Sequence, residues 1–415
     1  MSRLELKSKA EVIKLARLLS EPPERLDYLE RLDPVELAVL RDRATDAQYD
    51  ADEDRFKRIA FASRLLPLGL TAFIAENVFG ALLCARIAGV LDTQHAIDLA
   101  DRMPAHFLAH LAVELDPRRC SAIIAGMPPE QIAEVAEVLG RRQEYVAMGR
   151  FVGHMTDDAI RDCLAVLEES DLLRISYVLE GDEGLERVIG LMSRERLRRA
   201  IRAATDEDLW PEALDLLARV SGGLAGKLGD LAAQEDDRHL DAMVHTAQSE
   251  RLWDAVLPVM RTMSEAGRRR FAQLRSIHQR DVLAAIVRSA VGGDSWRDLL
   301  PLVPLLPREA QARVWSEVVA MAETLTPERL RELVTQALEL HLDHMLPDVI
   351  DAAASANLWR PALRLLTVLG PDLQGRLVPY AWTVSENRRS EAASHARELG
   401  LLPQLGPLAD VLGKG

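Results

Sequence analysis

The apolar positions of this chain recur at intervals of three and four, rarely at two, which predicts amphipathic helices throughout and no run long enough to build a sheet. Helix starts are written into the polar positions between them. Asp33-Pro34 and Asp116-Pro117 each place a capping side chain before a proline whose fixed φ suits the first helical turn. Glu36, three residues after Asp33, completes a capping box. MTDDAI from Met155, LMSRERL from Leu191 and LTPERL from Leu325 read as starts of the same kind.

The pattern repeats. DLWPEALDLLARV, RLWDAVLPVMRTM, DSWRDLLPLVPLL and NLWRPALRLLTVL place Trp210, Trp253, Trp296 and Trp359 in register, each with Leu four residues later and Ala six residues earlier. Seventeen residues after each Trp stands a base: Lys227, Arg270, Arg313 or Arg376. The Trp spacings are 43, 43 and 63 residues, a HEAT- or armadillo-like period followed by one copy lengthened by about 20 residues near 315–340. The tryptophans are expected to wedge between stacked units, each indole N–H meeting a helix-end carbonyl. Further upstream the period shortens. LDTQHAIDLADRMPAHFLAHLAVELD and LDPRRCSAIIAGMPPEQIAEVAEVLG align without gaps at 24 residues, pairing Pro104 with Pro128.

This 24-residue pattern, over about residues 91–167, resembles the helical repeats of the intracellular N-domain of MgtE magnesium transporters and, more distantly, flagellar switch FliG segments. The resemblance implies a superhelical fold. The transporter's nucleotide-sensing module and bundle of membrane spans have no counterpart here, so it implies nothing about transport. The expected architecture is all-α, a superhelical repeat or α-solenoid. A helical cap at 1–64 covers the first repeat, short-period repeats follow at 65–190, and Trp-marked repeats occupy 191–415.

Composition agrees: Ala and Leu fill 123 of 415 positions, against 18 aromatic residues. The net charge of −14 excludes a surface that grips nucleic acid throughout. Its distribution is uneven. Asp206 to Glu250 carries −8 and Arg251 to Arg275 carries +4, so Arg268, Arg269 and Arg270 are candidates for docking a protein partner. Cys84, Cys120 and Cys163 form no CxxC pair and suit a reducing cytoplasm as inert core thiols. The charged N-terminus carries no secretory signal.

Leu65 to Leu91 is long enough to span a bilayer, but Glu76, Asn77 and Arg86 interrupt it, and two buried helices of a soluble core are expected instead. His106 and His110, four apart on one predicted helix with Glu114 a turn later, are candidate metal ligands, without the glutamate of an HExxH base. His341 and His344 form a looser pair. Ser221 and Leu228 stand where a phosphate loop needs Gly and Ser or Thr, so SGGLAGKLGD reads as a Gly-rich turn between helices. No catalytic signature occurs and no cofactor is expected. The leading expectation is a cytoplasmic, non-catalytic scaffold or adaptor for a protein partner. A metal or ligand sensor using the His106 and His110 face, and a peripheral membrane protein using residues 65–91, stand as alternatives; self-association stays open.

Overall fold

The computed structural model describes residues 3–413, apart from 20, 51, 52 and 294, and every described element is a helix. The chain divides into two compact units, Met1–Leu224 and Ala225–Gly415. The division falls about one repeat after the change of period at 190/191.

Capping explains where many helices begin. The Thr156, Ser193 and Thr326 side chains accept the N–H groups of Ala159, Arg196 and Arg329, opening helices Asp157–Val166, Arg194–Asp206 and Pro327–Glu339 as expected. Asp33 Oδ1 accepts the Val35 N–H at 2.7 Å at the start of Pro34–Asp50. Asp116-Pro117 departs from expectation, because the next helix begins only at Ser121. The Asp116 carboxylate is instead buried, accepting the Arg118 backbone N–H at 3.1 Å and its guanidinium at 2.9 Å.

In the first unit, helices Thr93–Ala100 and Ala105–Glu114 are matched 24 residues later by a second pair ending in Pro129–Arg141, with Pro104 and Pro128 at the equivalent starts. The N-terminal helices Arg3–Leu19 and Pro34–Asp50 were expected to cover the first repeat. They brace the middle of the unit, where Arg17 pairs with Glu144 and Arg41 with Glu180, each at 2.6 Å.

The tryptophan repeats are three-helix units. Helices Asp237–Ser249, Trp253–Thr262 and Glu265–Ala272 form one, and helix Pro327–Glu339 is the additional element that lengthens a later one. Trp210, Trp253, Trp296 and Trp359 each begin a helix and are buried. The conserved spacing to Ala now has a cause. The preceding helix ends in a Schellman turn, in which Leu209, Leu252, Ser295 and Leu358 donate to the carbonyls of Ala204, Ala247, Ala290 and Ala353. All four alanines are fully buried. The intervening residue turns left-handed at Asp208, Arg251 and Asn357; Asp294, the equivalent of Asp208, lies outside the described residues. Gly400, with φ 67°, and Ala396 repeat the pattern once more without a tryptophan. The indole N–H groups of Trp210 and Trp253 donate to the side chains of Thr205 and Gln248, not to helix-end carbonyls.

The SGGLAGKLGD segment is not a turn. Gly222–Ala232 is a helix.

Candidate functional site

Residues 65–91 depart most from expectation. They form one helical run, Leu68–Ala88, long and apolar enough to cross a membrane, whose most apolar 18-residue window has mean hydropathy 1.7 and is only 22% buried. A single π turn at Ala75–Phe79 and a left-handed Gly80 bend it. The wider turn leaves the Ala75 carbonyl accepting both the Gly80 N–H and the Cys84 thiol. One side of the run packs inward through Ala72, Cys84, Ala85 and Ile87. The other side carries Leu70, Phe73, Val78 and Leu82, which join Phe61 and Leu65 in an exposed apolar ridge. Glu76, the interruption that argued for burial, turns sideways to face His106 at 3.6 Å and leaves the ridge uncharged. Bases lie along it, several with acidic partners: Arg55, Lys57 and Arg58 before, with Lys57 paired to Glu53 at 2.8 Å; Arg64 between Phe61 and Leu65, facing Asp92 at 3.7 Å; and Arg86 after.

Behind the ridge lies a cavity of about 340 Å³. Every helix from Glu53–Ser63 to Asp182–Leu191 contributes to its wall, so it is elongated along the unit. The wall is apolar apart from the hydroxyls of Ser63, Thr71 and Ser176 and the thiols of Cys84, Cys120 and Cys163. Burial pushes those thiols up, to about 11 for Cys84 and about 12 for the other two, so they stay protonated at neutral pH. Three hydroxyls offer too few partners to hold a file of water. Among the wall residues only Ala62, Leu66 and Phe79 are exposed, and all three neighbour ridge residues in the sequence.

The other candidates lie apart from this site. His106, His110 and Glu114 stand exposed on helix Ala105–Glu114, and no group of three or more His, Cys, Asp or Glu among the described residues is placed to hold a metal ion. His344 Nδ1 meets the His341 carbonyl at 2.9 Å. In the second unit Arg269 pairs with Glu265 at 2.6 Å, Arg270 pairs with Asp237, and Arg268 is half-buried. Arg270 belongs to a set of bases that reach 33–38 residues back along the chain: Arg313 donates to the His278 carbonyl and Arg376 to that of Leu338. In the sequence the ridge and cavity were hidden, because helical periodicity marks which residues share a face, not whether that face is covered.

No family model matches this chain, and no curated protein matches it. Among solved structures, a circular tandem repeat protein with novel repeat topology and enhanced subunit contact surfaces is 16% identical over 99% of this chain and 95% of its own, with a TM-score of 0.20.

Proposed function

We propose that the protein is a non-catalytic, cytoplasmic helical-repeat adaptor that attaches peripherally to a lipid bilayer through the first unit's apolar ridge. The observation that carries this reading is an exposed run of Phe and Leu on a helix whose only acidic residue is turned aside. Phe61, Leu65, Leu70, Phe73, Val78 and Leu82 each contribute about 1.5–3 kcal/mol on leaving water, roughly 10 kcal/mol together and of the order of the association cost. The ridge holds no Trp or Tyr, the aromatic anchors that dominate protein interfaces, whereas Phe and Leu with bases nearby suit an interfacial helix. Peripheral attachment is favoured over spanning because Ala72, Ala75, Ala85 and Ile87 on the same run are buried in the unit's core. Glu76 would also cost about 2.5–3.5 kcal/mol at a bilayer centre.

Flotation with phosphatidylcholine and phosphatidylglycerol vesicles tests the reading. The wild-type chain is expected to float and to be released by alkaline carbonate, and a Leu70→Glu, Phe73→Glu variant to stay behind with unchanged helix content. A wild-type chain that remains soluble overturns membrane attachment and favours a protein partner over the ridge; retention after carbonate favours spanning.

A further inference from the structure

We infer that the cavity of the first unit binds a single linear alkyl chain, drawn in through the mouth at the ridge. The proposed bilayer attachment supplies the lipid source, but binding itself does not depend on it. Shape and chemistry select this ligand. The wall is built from successive helices between Ile59 and Val188, so the space is long, whereas a fused-ring or globular ligand needs a wide one. No carboxylate, ammonium, guanidinium or imidazole lines it, so nothing inside solvates a charged group. A ligand must therefore be apolar along its length and carry its polar group at one end. Met103, Met127, Met148 and Met155 line the middle, and their unbranched, polarizable side chains adapt to a flexible chain.

The mouth receives the polar end. Ala62, Leu66 and Phe79 are the exposed wall residues. Beside them are Ser63, whose Oγ lies 3.2 Å from His95 Nε2, and Thr71, whose Oγ1 donates to the Pro67 carbonyl at 3.3 Å. These hydroxyls bring polar groups of the wall next to its exposed residues. At 340 Å³ the space lies within the range of about 300–1,000 Å³ found for small-molecule sites.

The test uses the full chain without vesicles, titrated with the fluorescent fatty acid 11-(dansylamino)undecanoic acid. Saturable binding at one site, displaced by palmitate, is expected. Ala112→Phe and Ala136→Phe, which push bulk into the cavity from buried wall positions, are expected to weaken it at least tenfold. Because either variant can unfold the unit, a second readout uses the wild-type chain: native mass spectrometry after incubation with palmitate should show one fatty acid bound per chain. No saturable binding, or no bound palmitate in the mass spectrum, overturns the proposal. The Leu70→Glu, Phe73→Glu variant should bind the soluble probe as the wild type does, so failure to float and failure to bind are separate results. Mass spectrometry of organic extracts after incubation with vesicles distinguishes the source, since recovered fatty acid or recovered intact phospholipid each supports an alkyl-chain site.

Discussion

A Cβ on Gly226 would stand 2.2 Å from the backbone oxygen of Thr262, and one on Gly229 would stand 2.8 Å from Met263 Cγ. These glycines let helix Gly222–Ala232 approach the end of Trp253–Thr262, the reason a Gly-rich helix exists where the sequence reads as a turn. Two effects compete in Gly226→Ala: better helix propensity, worth about 1 kcal/mol, and a backbone clash of the kind that costs about 1–3 kcal/mol. The clash should win, because a backbone carbonyl cannot rotate away, and urea unfolding should show net destabilisation. Gly223→Ala, with nothing within 4 Å, should be neutral or stabilising in the same assay. Asp116 carries a different test. Burial raises its carboxyl pKa, but the hydrogen bonds and charge of Arg118, with the charge of Arg150, outweigh burial and hold it below its ordinary 3.8. Its contribution is therefore complete above the unfolded-chain value and is lost as pH falls through the lower folded one. Asp116→Asn should destabilise at neutral pH, and the gap to wild type should close below about pH 4 in a pH series of unfolding free energies. Asp-Pro announced a cap; only the fold shows that Arg118 claims the carboxylate.

At the scale of elements, the tryptophan repeat was legible because three features fall at fixed distances: a fully buried Ala, a left-handed residue, and an indole opening the next helix. Trp253→Ala should cost about 3–5 kcal/mol, the range for deleting a buried aromatic ring, measured by denaturant unfolding of the full chain. A loss below 1 kcal/mol would mean that the indole is not the wedge between helices. The role of the bases was not legible. Arg219 donates to the Ser176 and Leu179 carbonyls and pairs with Asp182, some 40 residues earlier, and sequence spacing gives no sign of such partners. Arg270, one of the three docking candidates, also pairs with Asp237. For the helix Leu68–Ala88 the length and apolar content were plain, and its exposure was not. One carboxylate near the middle reads as a sign of a soluble core until the structure shows it facing His106.

Across the whole chain, the −14 charge is concentrated, and part of the acidic stretch serves the fold. Asp230 accepts the Ser264 N–H and Oγ, tying adjacent repeats of the second unit, and Asp241 accepts Ser276 Oγ, tying the first helix of its repeat to the segment that follows the third. The first unit differs in carrying the apolar ridge and the elongated cavity, so the molecule's charge and its apolar surface are separated along the chain. That separation makes the central claim measurable at one position. With a nitroxide attached at Leu70→Cys, where the three native thiols are buried, power-saturation electron paramagnetic resonance in the presence of phosphatidylcholine and phosphatidylglycerol vesicles reads the depth of the ridge directly. Collisions with oxygen should rise and those with a water-soluble nickel chelate should fall, placing the label about 5–10 Å below the headgroup boundary, the depth of an interfacial helix. Unchanged accessibility to both reagents on adding vesicles would contradict the account.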